Sequence, residues 1–431
     1  MVLGSFDPVD PPERELLDDC VHCGFCLPTC PTYLLDGEEM DSPRGRIHLM
    51  NLAERGEIPL DATFGQHIDS CLGCMACVTA CPSGVQYDRL LEATRPQVER
   101  NVPRSRLDAS FRRLVFSLFP YPRRLRLVTL LGLLYQRLGL QPVLRRFLPS
   151  RLRALDALLP PLRLRALFSR TPAYIPARGT RRLRVALLAG CAQQVFFGHV
   201  NAATARVLSA EGCDVLIPRG QPCCGALSMH AGLDSDAAGH ARRTIDALGR
   251  LDVDAIVVNV AGCGSTLKEY GELLRHDPEY ADRAAAFAAK VRDVHELLAS
   301  LPPVAPRSPL PLRVAYHDAC HLANAQRITS EPRQVLGTIP ELTVVDIAES
   351  EICCGSAGIY NLVQPDTAER LGRRKAENLL AARPDVITTG NAGCLLQIRR
   401  HLDEAGVRLA HPIELLDASI QAADRAPDRT A

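Results

Sequence analysis

Two short cysteine-rich runs near the start of the chain constrain its fold more than any other feature. Each run has the spacing C-x2-C-x2-C-x3-C followed by proline, first from Cys20 to Pro31 and again from Cys71 to Pro82. A loop with this spacing brings three thiolates to three corners of one inorganic cluster without strain. The proline then turns the chain away, so the fourth sulfur points outward.

This spacing is typical of bacterial ferredoxins, in which the fourth cysteine of each run ligates the other run's [4Fe–4S] cluster. Two zinc sites are the alternative, but zinc takes at most four thiolates and is usually bound by separated C-x2-C pairs. The chain is therefore expected to be an electron carrier. The predicted ligands are Cys20, Cys23, Cys26 and Cys81 for cluster 1, and Cys71, Cys74, Cys77 and Cys30 for cluster 2.

Length and composition indicate a multidomain globular protein. A chain of 431 residues exceeds one ordinary core, and its 47% hydrophobic and 23% charged residues are typical of globular proteins. Seventeen cysteines in tight motifs indicate reduced thiols, which predicts a cytoplasmic location. We expect no signal peptide and no membrane span, since the most apolar stretch, around Leu127 to Tyr135, is shorter than the ~20 residues a span needs.

A strongly basic segment follows the cysteine runs. Between Arg104 and Arg170 the chain has fifteen arginines and two acidic residues, Asp108 and Asp156. Three interpretations stay open: a patch facing anionic lipid at the inner face of the cell membrane, a dock for an acidic partner subunit, or a solvated basic face. Nucleic acid is not an expected partner, because no recognised binding fold accompanies the arginines. The predicted apolar helix face here consists of Phe111, Leu114, Val115 and Leu118, with Arg112 and Arg113 off that face.

The second half of the chain repeats itself at an offset of about 130 residues. RVALLAGC ending at Cys191 matches RVAYHDAC ending at Cys320, and each copy continues with a Cys-Cys-Gly motif and an A-G-C motif. In both copies β-branched runs alternate with helical patterns, which predicts α/β layers with parallel strands. The predicted strands are 184–188, 215–218, 254–260, 313–317, 342–347 and 385–389.

The cysteines of the second half follow predicted strands. Ligands gather at the carboxyl ends of parallel strands, so separated cysteines are expected to converge there. Gly225 and Gly355, directly after the paired cysteines, let the backbone turn tightly beside them. The two candidate metal sets are Cys191, Cys223, Cys224 and Cys263 in the first copy, and Cys320, Cys353, Cys354 and Cys394 in the second.

The repeated Cys…Cys-Cys-Gly…Cys arrangement resembles the cysteine-rich CCG domain of heterodisulfide reductase and of iron–sulfur subunits of flavin-linked dehydrogenases. Within that group, QPCCGALSMHAG, ACHLANAQRI, EICCGSAGIYNLVQP and NAGCLLQI are most similar to glycolate oxidase iron–sulfur subunits. The fold class implied is α/β: an α-helical ferredoxin-like dicluster domain, then two tandem duplicated α/β CCG domains. The expected domains are 1–100, an Arg-rich linker at 101–182, and CCG domains at 183–305 and 306–425.

The resemblance implies two [4Fe–4S] clusters here and FAD on partner glycolate oxidase subunits, with quinone or another acceptor taking the electrons. No G-x-G-x-x-G follows a strand, so the chain is not expected to oxidise a hydroxyacid alone. A lactate or glycerol-3-phosphate dehydrogenase subunit, a disulfide reductase and a zinc-binding scaffold are the alternatives. Related chains with an unusual cluster end the motif with C-x-x-C, whereas Thr266 and Gln397 stand here. A further cluster, zinc or metal-free cysteines therefore remain open for the CCG domains.

Several other residues could have a functional role or could simply be packed in the fold. Cys213 lies outside both sets and is expected to be a small buried hydrophobe. Arg44 and Arg46 suit either tuning of a cluster or surface salt bridges. Four histidines near the CCG loops are more often packed or solvated than functional: His230, His317, His321 and His411.

Overall fold

The computed structural model describes residues 4–162, 164, 171–402 and 406–425. Three arginines of the predicted basic segment, Arg163, Arg165 and Arg170, lie outside the described residues. Within the described ranges, no helix combines the length and apolar character that crossing a membrane would require.

The N-terminal part is helical, and both cysteine runs form short loops between its helices. Its core packs Met50, Ile68, Leu90 and Leu91 around the second run. Each run leads into a helix boundary: Cys30 precedes a helix that begins at Pro31, and Cys81 follows a helix that ends at Ala80. The helices are α1 Arg14–Asp18, α2 Pro31–Asp36, α3 Pro43–Glu54, α4 Ala62–Asp69, α5 Ala76–Ala80 and α6 Tyr87–Asn101.

The described part of the basic segment forms four further helices. Pro122 is the first residue of α8, where a proline costs no intrahelical hydrogen bond. The apolar face predicted for α7 is partly wrong, because Leu114 is 47% exposed while Arg112 is only 8% exposed. Arg112 is drawn inward by hydrogen bonds from its Nη2 to Glu99 Oε2 at 3.0 Å and to the carbonyl oxygen of Ala231 at 3.1 Å. The helices are α7 Arg106–Leu118, α8 Pro122–Arg137, α9 Gln141–Leu144 and α10 Ser150–Ala157.

Two sheets with the same core topology form the second half, as the duplication predicts. The first has the order β1-β3-β2-β4-β5 and the second β7-β6-β8-β9, and all pairs are parallel except β1 with β3. The first sheet contains β1 Tyr174–Ile175, β2 Leu183–Leu187, β3 Cys213–Leu216, β4 Ala255–Val258 and β5 Val291–Asp293. The second contains β6 Arg313–Tyr316, β7 Thr343–Val345, β8 Val386–Thr388 and β9 Arg408–Ala410.

The six predicted strands are all present, with ends displaced by one or two residues. Strands β1, β5 and β9 were not predicted, because their sequences, YI, VRD and RLA, lack the runs of β-branched residues that marked the other six.

Helices cover both sheets, and one core joins the two repeats. Val185 and Val257 of the first sheet share it with Val314 and Val386 of the second. The helices of the first repeat are Gln193–Phe196, Gly198–Ala210, Ala226–His230, Asp234–Leu248, Ala261–Lys268, Tyr270–Leu273, Ala281–Lys290 and Val294–Ser300. Those of the second are Glu331–Gly337, Tyr360–Val363, Pro365–Ala381, Ala392–Arg399 and Pro412–Arg425, with a π-helical turn at His321–Ala325.

Candidate metal centres

The first three cysteines of the first run meet the last cysteine of the second run, as the cross-ligation pattern predicts. Together with Cys77 they line a cavity of about 30 Å³. The charge of Cys20 interacts with those of Cys23 and Cys81. Cys23 is exposed, so this set lies at the protein surface. We call Cys20, Cys23, Cys26 and Cys81 the outer set.

The other four cysteines of the two runs are buried. The charge of Cys77 interacts with those of Cys74, Cys71 and Cys30. Burial raises the pKa of Cys74 and of Cys77 well above the usual range of a thiol. Burial also opposes ionisation of Cys71, but the guanidinium groups of Arg46 and Arg95 outweigh it and lower its pKa. We call Cys30, Cys71, Cys74 and Cys77 the inner set.

Arg46 and Arg44 have different roles beside these cysteines. Arg46 is 1% exposed and donates to the carbonyl oxygen of His67 and to Ser70 Oγ, both at 2.7 Å. Burial opposes its charge, yet nearby anionic groups, Cys71 first among them, raise its pKa, so it stays cationic. Arg44 instead forms a surface ion pair with Glu39 at 2.6 Å. A fixed positive charge therefore lies beside the inner set.

The inner set is in contact with the second repeat. His321 Nε2 donates to the carbonyl oxygen of Gly73 at 2.9 Å, and Asn324 Nδ2 donates to that of Cys74 at 3.0 Å. Cys74 packs in one apolar cluster with Cys353 and Cys320, and its charge interacts with both. The second half of the chain thus approaches the cysteine runs through its second repeat.

The cysteines of each repeat converge at the carboxyl ends of the strands, as predicted. In the first repeat Cys223 Sγ lies 3.5 Å from Cys191 Sγ, and each sulfur interacts with the next in the order Cys191, Cys223, Cys224, Cys263. In the second repeat the corresponding order is Cys320, Cys353, Cys354, Cys394.

The glycines after the paired cysteines have the expected conformation. Gly225 and Gly355 both have φ of 85°. A Cβ atom at Gly355 would lie 2.9 Å from the carbonyl oxygen of Ala368. Only glycine fits this turn without strain.

One cavity joins the two repeats. Its volume is about 220 Å³, and all eight cysteines of the two candidate sets line it. Phe119 and Leu155 of the linker close part of it, and two histidine rings, those of His230 and His321, stand 4.6 Å apart at its wall. The sequence predicted a set of four cysteines in each repeat, whereas the shared cavity comes from the packing of the repeats against each other.

The two repeats differ in what surrounds their sulfurs. In the second repeat, one ligand atom each of His317, Cys354 and Cys394 lie within 4.8 Å of one another. Lys375 is 2% exposed, and its charge interacts with Cys353 and Cys354. Its Nζ donates to the carbonyl oxygens of Glu349 and Ser350.

The remaining sequence candidates have ordinary surroundings. Cys213 is fully buried at the start of β3, among apolar residues of the shared core. His411 donates from Nε2 to the carbonyl oxygen of Asn259 at 3.0 Å. Thr266 and Gln397 are both fully buried, and Gln397 Nε2 donates to the carbonyl oxygen of Ala368 at 2.8 Å.

Sequence reasoning missed two members of the second set's surroundings. Lys375 gives no signal, because it lies in a helix that is rich in arginine and looks solvated. Asn391 Nδ2 lies 3.3 Å from Cys394 Sγ. For His317 a signal exists: it directly follows β6, three residues before Cys320, where the first repeat has Leu188.

Comparison with protein-family models agrees with this architecture. The 4Fe-4S dicluster domain matches residues 16–85, and the cysteine-rich domain matches residues 185–268 and 314–399. The linker region of the glycolate oxidase iron–sulfur subunit matches residues 107–159. The α-helical dicluster region and the two CCG repeats expected from the sequence are thereby confirmed.

Curated relatives cover nearly the whole chain. A probable glycolate oxidase iron–sulfur subunit of Bacillus subtilis is 40% identical over 94% of both chains. The glycolate oxidase iron–sulfur subunit of Escherichia coli is 37% identical over 94% of this chain and 95% of that protein. A lactate utilization protein A of an Exiguobacterium species is 28% identical over 56% of this chain and 99% of its own length. The chain belongs to the glycolate oxidase iron–sulfur subunit family.

Proposed function

We propose that this chain is the electron-transfer subunit of a flavin-dependent glycolate oxidase complex, in which a partner flavoprotein oxidises glycolate to glyoxylate. The observation that carries the proposal is the series of cysteine sets that runs from the exposed Cys23 through the inner set to Cys320. The names of the two full-length relatives support glycolate as the substrate of the complex.

The outer and inner sets each have the four thiolates that one [4Fe–4S] cluster requires. We assign one cluster to each set. When bound, such clusters accept and release single electrons. The chain's own contribution is to hold the two sets side by side and to place the cationic Arg46 beside the inner one.

The exposed edge of the outer set is the proposed docking site of the flavoprotein. Val21 and Phe25 flank Cys23 in the chain and are 68% and 67% exposed. Exposed apolar side chains beside a redox centre suit a protein partner, since their burial contributes to binding. FAD is assigned to that partner.

Electrons are proposed to leave toward quinone at the membrane, with helix α8 as the membrane contact. Its outward face is apolar and exposed: Leu127 is 64% exposed, and Leu138, directly after the last helical residue, is 61% exposed. The buried residues of α8, among them Leu125 and Leu133, lie on the opposite face. We call this outward surface the α8 face, and it consists of Leu127, Leu131, Leu134 and Leu138.

The charges around the α8 face suit a negatively charged surface, such as a bilayer of anionic lipid. Arg123 and Arg124 are exposed at the start of the helix and Arg137 at its end. No acidic residue occurs between Asp108 and Asp156, so nothing on this helix repels a negative surface. A helix of 16 residues is about 24 Å long, and this pattern is that of a helix lying in the interface of a bilayer.

The test is anaerobic co-purification of the complex, followed by addition of one hydroxyacid at a time. Glycolate is expected to bleach the iron–sulfur absorbance, and Cys23→Ser is expected to decrease the bleaching because it removes a ligand of the outer set. The matched control is Cys213→Ala, which changes a buried cysteine outside every set. Bleaching by lactate or glycerol 3-phosphate alone would replace the proposed substrate, and a complex that none of the three reduces would refute the proposal.

A further inference from the structure

We infer that His317 is a metal ligand, and that it completes an iron–sulfur cluster site with Cys320, Cys353, Cys354 and Cys394 in the second repeat only. The inference goes beyond the proposed function, which needs only the outer and inner sets. It also answers how this chain compensates for Gln397, which stands where C-x-x-C motifs place a fifth cysteine.

The first argument is the state of the His317 imidazole. The residue is 1% exposed, and within the described part of the chain neither of its ring nitrogens has a hydrogen-bond partner. A buried polar group without a partner is unfavourable, so two unpaired nitrogens on one ring call for an explanation. A metal ion bound by one nitrogen supplies that partner.

The second argument is position. His317 has a nitrogen within 4.8 Å of the sulfurs of Cys354 and Cys394, and these two sulfurs interact with each other. Strand β6 ends at Tyr316, so the residue is held at the carboxyl end of a central parallel strand. Both imidazole and thiolate bind iron in iron–sulfur clusters, since some [2Fe–2S] clusters have two histidines in place of two cysteines.

The third argument separates a cluster from a single zinc ion. A structural zinc site places four donors around one point, whereas among the described residues three donors, those of His317, Cys354 and Cys394, lie within 4.8 Å of one another. The sulfurs of Cys353 and Cys320 interact in turn with Cys354, which brings the candidate donors to five. Five donors exceed the four of a structural zinc site and suit several metal ions better than one.

The fourth argument is charge. Several thiolates held in a buried space need a compensating cation. Lys375 is buried, and its charge interacts with Cys353 and Cys354. An amine that can supply the positive charge an anionic cluster requires therefore lies beside the sulfurs of the second repeat.

The first repeat has no counterpart of the His317 imidazole or of the Lys375 amine. The residue aligned with His317 is Leu188, and Thr244 occupies the place of Lys375 in the matching R-R motif. Thr244 Oγ1 donates to the carbonyl oxygen of Cys223 and carries no charge. The asymmetry matches the contacts of the inner set, which reach the second repeat through Cys320. A cluster in the second repeat would thus lie next to the inner set.

The test compares iron content and spectra of the full chain, purified without oxygen, and needs no substrate. The wild type is expected to hold about twelve irons, about four in each of three clusters. His317→Ala is expected to lose about four of them and to keep the eight of the outer and inner sets. His240→Ala, at a buried histidine of the first repeat, is the control and is expected to lose none.

Two further measurements distinguish a ligand from a packing residue. Pulsed paramagnetic resonance on protein labelled with 15N-histidine is expected to show nitrogen coupling that disappears in His317→Cys. That variant is expected to keep all irons, because a thiolate replaces the imidazole, and to lower the midpoint potential of the third cluster, because the new ligand is anionic.

Three results would overturn the inference. The first is a wild type with no more than eight irons, and the second is zinc in place of iron in the second repeat. The third is a His317→Ala variant with unchanged iron and spectra. If His317→Ala does not fold, the nitrogen coupling of the wild type decides. Since no glycolate is added, failure here leaves the proposed function standing, and failure of glycolate to bleach the complex leaves this inference standing.

Discussion

The contribution of the α8 face to membrane binding can be predicted from the exposed fractions of its leucine side chains. Leu131 is 64% exposed and Leu134 is 54% exposed. Full burial of a leucine side chain contributes about 1.5–3 kcal/mol, so transfer of the exposed half of each to a bilayer contributes about 1 kcal/mol. Replacing both by serine should therefore weaken vesicle binding by about 2 kcal/mol, or roughly 30-fold.

The assay is co-sedimentation of the full chain with vesicles of phosphatidylglycerol and phosphatidylethanolamine. Replacing Arg123 and Arg124 by glutamine should cost about 1 kcal/mol each on the anionic vesicles and should have little effect at high salt. Val304→Ser is the control, because Val304 is 57% exposed in a loop far along the chain from α8.

Two outcomes would refute the reasoning. In one, the wild type does not bind anionic vesicles better than phosphatidylcholine vesicles. In the other, the leucine and Val304 variants bind equally well. If the leucine variants instead lose the flavoprotein in co-purification while vesicle binding is unchanged, the α8 face is a subunit interface.

Three other predictions concern Arg46 beside the inner set, Glu269 beside Asp88, and the turn at Gly355. Arg46→Met should lower the midpoint potential of the inner cluster, because the positive charge that it removes stabilises the reduced, more negative state. The same variant should destabilise the fold by about 3 kcal/mol. A redox titration that shows no shift of the potential would contradict the first expectation. Burial and the charge of Asp88 raise the pKa of Glu269 to about 8. The folded state therefore holds a proton that the unfolded chain releases near pH 4.5, so stability should fall as pH rises from about 4.5 to 8. Glu269→Gln should weaken this dependence in thermal melts followed by circular dichroism, and an unchanged slope would refute the cause. Gly355→Ala should destabilise the chain by about 2 kcal/mol in denaturant titrations, because φ at this residue is 85° and the new Cβ meets a backbone oxygen. Gly337→Ala is the control and should not destabilise the chain, since the space around its Cβ is open.

Much of the site was predictable because its signals are local or repeated. The cysteine runs and the two Cys-Cys-Gly motifs have fixed spacings, which reflect the geometry of a loop around a metal centre. The duplication added an internal comparison, so the strands of one copy support those of the other. That is why β2, β3, β4, β6, β7 and β8 were predicted, whereas β1, β5 and β9, which have no run of β-branched residues, were not.

The linker shows where local pattern fails. Helical periodicity identified an apolar face on α7, but periodicity cannot say which of two neighbouring helices turns its apolar face inward. In the structure Val115 of α7 packs against Ile359 and Leu362 of the second repeat, and the leucines of the α8 face are left exposed. The exposed face is therefore a result of tertiary packing.

The sequence by itself determined the redox character of this chain, since thiolate spacing and motif repetition are properties of the chain alone. Only the tertiary structure decided which cysteine sets are neighbours, because Cys74 and Cys320 are 246 positions apart and meet through packing between the helical part and the second repeat. It also decided which copy lies beside the inner set, since Cys74 contacts the second repeat. Whether a histidine is packed, solvated or aimed at sulfur depends on what surrounds it in space, and for His317 the surroundings are Cys354 and Cys394.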